Sequence, residues 1–408
     1  MTKSREGPLR HATMRERNLA VMLEQVVRCQ PVTRARLAEH TGFTKTTVSN
    51  LLAVLEGAGL VQDGALVQDG ERGRPGIAVS VNGDGAAALG LEINVDYLAA
   101  CVLDLGRRTR YHQLVTFDNR GRSPEAVIAS LGRLAAEAVA AAAGQGLNVA
   151  GATVAVPGLL DRENGLVRRA PNLGWTDVPV SALLHDALPD LPIPAGHDNE
   201  ANLAALAELW FGDGARHGGF IHVSGEIGIG AGIVMDGQVL RGTHGFAGEL
   251  GHLIVEPGGA PCTCGGRGCL EQSAGQDAIL RAAGLPAVTA TTAAKPDGPI
   301  KALIALLERS DPRALAALDG AGRALGATLA SAVNLVDPGA IVLGGIFSPL
   351  APWIRPAVEA ALAEGGGSLR TEVPPVVASE LAGNAAVLGA AGVVIERVIG
   401  HPALLLPS

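Results

Sequence analysis

Near residue 82 the chain changes character, and this break limits what it can fold into more than any other feature. Through residue 50, nine basic side chains (Lys3, Arg5, Arg10, Arg15, Arg17, Arg28, Arg34, Arg36, Lys45) stand against four acids (Glu6, Glu16, Glu24, Glu39), a net +5. The full 408 residues carry −8, so everything after residue 50 carries −13. A small basic head on a larger acidic body implies that only the head meets a polyanion. The length allows roughly two to four domains at ~100–200 residues each. A hydrophobic content of 48% excludes a disordered chain, and the lack of a Gly-x-y period excludes collagen. The stretch Met1 to Glu16 is of mixed charge with no apolar segment behind it, and no 18-residue run reads as a membrane span. A cytoplasmic protein with no membrane partner is expected.

In the head, Leu19, Met22, Leu23, Val26 and Val27 recur at helical spacing, and Pro31 ends the pattern. Thr33 is placed to cap a short helix around Arg34 to His40, with Arg36 pointing out. After the turn Thr41-Gly42-Phe43 a third helix starts near Thr44. It carries Thr44, Lys45, Thr46, Thr47, Ser49 and Asn50 on one side and Val48, Leu51, Leu52 and Leu55 on the other. Short hydroxyl and amide side chains beside one lysine suit contacts to base edges and phosphates in a major groove. Gly70-Glu71-Arg72-Gly73-Arg74-Pro75-Gly76 then precedes the alternating strand Ile77 to Val81, so Arg72 and Arg74 read as the tip of a wing. The pattern predicts a winged helix-turn-helix that binds double-stranded DNA. Surface Thr and Lys on an interaction module is the plainer alternative.

Beyond residue 85, strands are expected at Ala87 to Ile93, Tyr97 to Asp104, Arg110 to Phe117 and Val149 to Val156, with a helix starting at Ser123-Pro124. A second unit of like texture follows the helix Ala201 to Trp210. It has strands around Phe220 to Val223, Gly230 to Met235 and Ala340 to Gly345, a helix from Gly322 to Leu335, and a last helix, Asn384 to Ile399, suited to pack back on the first unit. This describes an α/β body of two lobes with a ligand cleft between them.

Three of the five cysteines fall in Pro261-Cys262-Thr263-Cys264-Gly265-Gly266-Arg267-Gly268-Cys269, ten residues after His252. Three thiolates and an imidazole form a tetrahedral set for structural Zn2+, closed to water and so unsuited to Lewis-acid chemistry. A redox group or plain buried thiols are the alternatives. Cys29 and Cys101 stand alone and read as small core residues. Around the cluster, Glu249, Glu271 and the run Asp198-Asn199-Glu200 offer carboxylates and amides of the kind that hold a polyol.

These motifs together resemble the ROK family of repressors and sugar kinases along essentially the whole chain. The match is carried by Gly245-Phe246-Ala247-Gly248-Glu249-Leu250-Gly251-His252 with the cysteine run and Leu270-Glu271. Thr41 to Ser49 with Gly73-Arg74-Pro75, and Leu91 to Tyr97, look like its XylR/NagC-type repressor branch. The resemblance implies a two-lobed actin-like, ribonuclease H-like sugar-kinase fold behind an N-terminal winged helix-turn-helix. The expected domains are 1–82 for the head, 83–200 plus 378–408 for the first lobe, and 201–377 for the second, with the zinc loop and a dimerisation surface. It also implies sugar contacts from Asn172, Asn199, Glu249, His252 and Glu271, zinc on His252, Cys262, Cys264 and Cys269, and a homodimer or dimer of dimers.

The kinase branch carries Asp where this chain has Glu200, and the added methylene shifts a carboxylate by roughly 1 Å, enough to cost ~100-fold in tuned in-line transfer. Its Asp-x-Gly-Gly-Thr is here Glu92-Ile93-Asn94-Val95-Asp96, and its Gly-Thr-Gly-Ile-Gly is Glu226-Ile227-Gly228-Ile229-Gly230. Side chains and acids replace glycines that let backbone approach phosphate. Gly344-Gly345 alone resembles the adenosine-side motif. The expectation is a sugar-responsive transcriptional regulator without enzymatic activity, Glu200 joining the sugar contacts. A bifunctional ATP-dependent sugar kinase and a non-catalytic scaffold are the alternatives.

Overall fold

The computed structural model describes residues 11–67, 76–286, 298–366 and 372–406. The head opens with the helix His11–Cys29, which buries Leu19, Met22, Leu23 and Val26. The Thr33 hydroxyl oxygen accepts from the Arg36 N–H at 3.3 Å and caps the helix Arg34–Thr41. Gly42, at φ 71°, ends that helix in the left-handed region, where a side chain is strained. Helix Lys45–Gly57 starts from Thr44, whose oxygen accepts from the Thr47 N–H at 3.2 Å, and buries Val48, Leu51, Leu52 and Leu55. Strands Val61–Val67 and Gly76–Val81 pair antiparallel, and Val32–Thr33 adds to the latter's other edge. Arg72 and Arg74, at the expected wing tip, lie outside the described residues.

The body holds two five-stranded sheets of related order. The first runs Ile193–Asn199, Asn148–Val156, Ala86–Ile93, Tyr97–Asp104, Thr109–Thr116. Its first three strands are parallel and its last two turn back antiparallel. The second sheet runs Gln238–Val239, Ile229–Met235, Gly219–Gly225, Ala340–Gly345, Val376–Ala378. Here three antiparallel strands lead into two parallel ones. A small antiparallel sheet of Leu159–Asp161, Leu166–Ala170 and Trp175–Val178 brings Asn172 to the space between the large sheets.

Two helices join the lobes. Glu200–Phe211 packs on Gly219–Gly225 and Ile229–Met235 of the second sheet, while Ala385–Gly400 packs on Ala86–Ile93, Asn148–Val156 and Tyr97–Asp104 of the first. The two helices also pack on each other. Their approach is so close that a Cβ on Gly389 would stand 1.8 Å from the Leu203 carbonyl oxygen. One apolar cluster then runs from Leu19, Leu23 and Val26 of the head, through Val394, Val398 and Ile399 of the last helix, to Ala99 and Cys101 of the first sheet.

Some expectations need correction. Cys101 is buried, and Cys29 is half-exposed at the edge of the head's apolar cluster, its Sγ 3.7 Å from His40 Nδ1. The helix expected from Gly322 begins earlier, at Pro312, because Asp311 accepts from the Arg313 and Ala314 N–H groups. The helix Phe347–Gly366 was hidden by Pro352 and Pro356. Both prolines lie on its exposed face, opposite the buried Leu350, Ile354, Val358 and Leu362. Two segments, Pro124–Ala143 and Ala382–Gly400, are long and apolar enough to cross a membrane by length and composition alone. Each instead buries its apolar stripe within the protein.

Adding one methyl at the helix crossing should cost about 1–3 kcal/mol through overpacking. Urea unfolding is expected to show that loss for Gly389→Ala and little change for Gly400→Ala, at the open end of the same helix, where no atom lies within 4 Å of the added Cβ.

Candidate functional site

All six of Asn172, Asn199, Glu200, Glu249, His252 and Glu271 line one cleft between the lobes, together with Asn94, Glu226 and Gly228. Among the described residues no lysine or arginine lines it. Asn199 ends the strand Ile193–Asn199 and caps the helix that follows. Its Oδ1 accepts from the Ala201 and Asn202 N–H groups at 2.9 and 3.2 Å, and its Nδ2 donates to the Gly158 carbonyl at 3.0 Å. One amide N–H of Asn199 therefore remains for a ligand. Asn172 comes from the first lobe, and its Oδ1 accepts from the Thr263 hydroxyl of the cysteine run at 3.2 Å. Gly228 lies tight against this group: a Cβ there would sit 2.5 Å from Glu271 Oε2 and 3.3 Å from Asn172 Nδ2.

The carboxyls of this cleft are partly withdrawn from water and raise one another. Burial first, then Glu92, Glu249 and Glu271, push Glu200 up to about 8. Burial and Glu271 push Glu249 up to about 7, and burial raises Glu271 as well. Beneath them, Glu92 is also pushed up to about 7 by burial, although the Tyr97 hydroxyl donates to its Oε1 at 2.7 Å. Carboxyls poised between charge states both donate and accept, which suits the mixed donor and acceptor pattern of neighbouring hydroxyls.

Beside the cleft, His252, Cys262, Cys264 and Cys269 bring their ligand atoms within 4.8 Å of one another. Cys264 Sγ lies 3.7 Å from Cys269 Sγ, and Cys262 Sγ lies 3.8 Å from His252 Nδ1. A tetrahedral site with Zn–S bonds of about 2.3 Å spaces its sulfurs by nearly that distance. The donor set and spacing fit structural zinc. Gly268 permits the tight loop, since a Cβ there would meet the Glu256 carbonyl oxygen at 1.7 Å. His252 presents Nδ1 to the thiols and Nε2 to Glu249, whose Oε2 is 3.9 Å away. Zinc at Nδ1 would fix the tautomer that leaves the Nε2 proton facing the cleft.

A second cavity adjoins the first across Glu226, which lines both. It includes Asp96, Tyr97, Ile300, Ile304, Ile346 and Ser348. Gly345 sits against Glu226: a Cβ there would be 2.8 Å from Oε1. Burial raises Asp96 at this boundary. Asn94 spends its Oδ1 on the Val95 N–H at 2.6 Å, and no glycine in Glu92–Asp96 opens the backbone there.

On the head, Thr44, Lys45, Thr46, Ser49 and Asn50 are exposed along the start of helix Lys45–Gly57, and Thr47 is half-buried. Thr44 and Thr47 are tied to each other at 2.9 Å. Arg36 is exposed but shares an ion pair with Glu39 at 3.4 Å, so it is less free than its sequence position suggested. Sequence reasoning passed over Thr263, hidden between two cysteines, and the cross-lobe ion pair of Arg241 with the buried Asp198 at 2.8 Å.

A sequence profile described as the ROK family matches residues 88–397. A xylose repressor of Caldicellulosiruptor bescii is 30% identical over 274 residues, 66% of this chain and 66% of that protein. The crystal structure of a ROK family transcriptional regulator, described as a homolog of the E. coli MLC protein, covers 96% of this chain and 98% of its own at 26% identity, with a TM-score of 0.77. A ROK family glucokinase from Streptomyces griseus, in complex with glucose and AMPPNP, covers 75% of this chain and 98% of its own at 28% identity, with a TM-score of 0.63. The α/β sugar-kinase fold of the body is shared by both structures.

Two outcomes are expected. Metal analysis should give about one zinc per chain, and Cys264→Ser should bring it close to none. Between the ordinary 4.5 and about 8 the folded chain keeps the Glu200 proton while the unfolded chain releases it, so stability falls as pH rises through that window. Glu200→Gln should therefore raise the melting temperature at pH 8, by about 2–4 °C for each ~1 kcal/mol relieved, and change it little at pH 5.

Proposed function

The chain belongs to the ROK family, and on that premise we propose that it is a sugar-responsive, DNA-binding transcriptional regulator. It acts as a cytoplasmic repressor of carbohydrate uptake or catabolism genes and leaves its operator when sugar binds. Residues 1–82 serve as a winged helix-turn-helix. Residues 83–200 with 378–408, and 201–377, serve as the two lobes of a sugar sensor that works as a homodimer or dimer of dimers. The carrying observation is that one chain joins a solvent-facing helix of Lys45, Thr46, Ser49 and Asn50 to a cleft of amides and carboxyls. The regulator structure matches this chain across both parts, whereas the glucokinase matches a share close to that of the body alone.

In this reading a monosaccharide or short oligosaccharide binds through Asn172, Asn199, Glu200, Glu249, His252 and Glu271. Arg36, Thr44, Lys45, Thr46, Thr47, Ser49 and Asn50 meet double-stranded DNA, the helix Lys45–Gly57 entering the major groove N-terminus first, with Arg72 and Arg74 on the flanking backbone or minor groove. Bound zinc holds the ring of His252 and the loop around it. The Asn172 side chain, tied to Thr263, orients the ligand from the opposite lobe. Ligand that favours one lobe arrangement shifts the chain toward it, and with it the spacing of two heads on half-sites about 34–36 Å apart.

Phosphoryl transfer is lost in this reading because Glu226 and Asp96 face the route a triphosphate needs. The test is calorimetry with zinc-loaded protein against D-xylose, D-glucose and other sugars, with and without magnesium AMPPNP. It is followed by binding to a duplex selected from a randomised library. Saturable sugar binding, no nucleotide binding and sugar-dependent loss of the duplex are expected. Sugar-coupled nucleotide binding with phosphorylated product overturns the reading in favour of a kinase.

A further inference from the structure

The far end of the sugar-site helix has its own connection to the head. Helix Glu200–Phe211 begins in the cleft and runs 12 residues, about 18 Å, to Trp210 and Phe211. There the Arg107 guanidinium donates to the Trp210 carbonyl at 3.4 Å and lies 5.7 Å from the centre of the Phe211 ring. The same guanidinium donates to Glu396, on the last helix Ala385–Gly400. That helix packs on the head helix His11–Cys29, whose Glu24 lies close enough to oppose the Glu396 charge.

Arg107 is held where a flexible arginine would not rest by choice. It sits at φ 65° in the turn between Tyr97–Asp104 and Thr109–Thr116, a left-handed conformation that disfavours a long side chain. Buried Asp104 fixes that turn by accepting from the Arg108 N–H and from the Arg110 guanidinium, each at 2.9 Å. The Arg107 and Glu396 side chains are 30% and 34% exposed, and the Arg107 Nε is buried. A strained residue tying these two helices together beside the head calls for another role.

We infer that Arg107 and Glu396 are positioning residues that join the end of the sugar-site helix to the helix carrying the head, and so transmit sugar occupancy to DNA binding. This rests on the sensor reading above. A shift of Glu200–Phe211 on sugar binding moves Trp210 and Phe211 against Arg107, and Arg107 carries Glu396 and the head with it. Neither residue touches sugar or DNA.

The test compares wild type, Glu396→Gln, Arg107→Met and the conservative Arg107→Lys, whose ammonium can still donate to the Trp210 carbonyl and pair with Glu396. For each, calorimetry gives the Kd for D-xylose and D-glucose, and fluorescence anisotropy gives the Kd for the selected duplex with and without the sugar that binds. Wild type should lose DNA affinity about tenfold or more on saturation, within the usual range of coupling. Glu396→Gln and Arg107→Met should keep both separate affinities within about twofold while the sugar-induced loss drops below about threefold, and Arg107→Lys should retain most of it. Glu396→Gln and Arg107→Met variants that release DNA as wild type does overturn the inference and leave the sensor reading standing. Loss of sugar or DNA binding by Glu396→Gln or Arg107→Met also overturns it, since the role is then structural. A wild-type chain whose DNA affinity neither sugar shifts overturns both readings together.

Discussion

The crossing of Glu200–Phe211 over Ala385–Gly400 governs the rest of the molecule. Gly389 lets one helix backbone rest on the other at Leu203, and each helix belongs to a different sheet. Because interiors are close-packed, such a crossing rotates more readily than it compresses. The N-terminal end of the first helix places Asn199 and Glu200 in the cleft, and the second carries the head. A change in crossing angle is therefore felt at both ends at once, without a long wire of side chains between them.

The cleft itself is built against its own electrostatics. Glu200, Glu249 and Glu271 crowd together with no described cation lining the cleft, and each is pushed up by burial. Partial burial of these carboxyls costs folding free energy, which in the proposed sensor a bound polyol would offset in part. The cysteine loop on one side and the Gly228 turn on the other hold the acids at that distance. Anionic ligands find no described cation to pair with, while hydroxyls meet partners able to donate or accept.

Much of this was legible in the residues. Apolar spacing marked Leu19 to Val26, Thr33 and Thr44 announced their caps, and Cys262, Cys264 and Cys269 with His252 announced a metal set that the geometry then brought together. The sites that needed motif reading, Asn172 and Asn199 among them, do converge on one cleft. The misses have local causes. Pro352 and Pro356 disguised a helix because their missing donors face water. Long-range pairs such as Arg241 with Asp198 and Arg107 with Glu396 leave no periodic trace, since nothing in local spacing relates residues so far apart.

The apolar cluster shared by head and first sheet has a consequence for anyone who would rebuild this protein. Leu23 and Val26 of the first helix and Val394 and Val398 of the last are parts of one interior, so the head is no detachable module. A chimera cut at the apparent boundary would leave two raw apolar faces, one on each fragment. A transplant of DNA specificity must instead move the first and last helices as a pair, or exchange only the solvent-facing side chains of Lys45–Gly57 and leave the shared interior as it is. The two ends of this chain are bound to vary together.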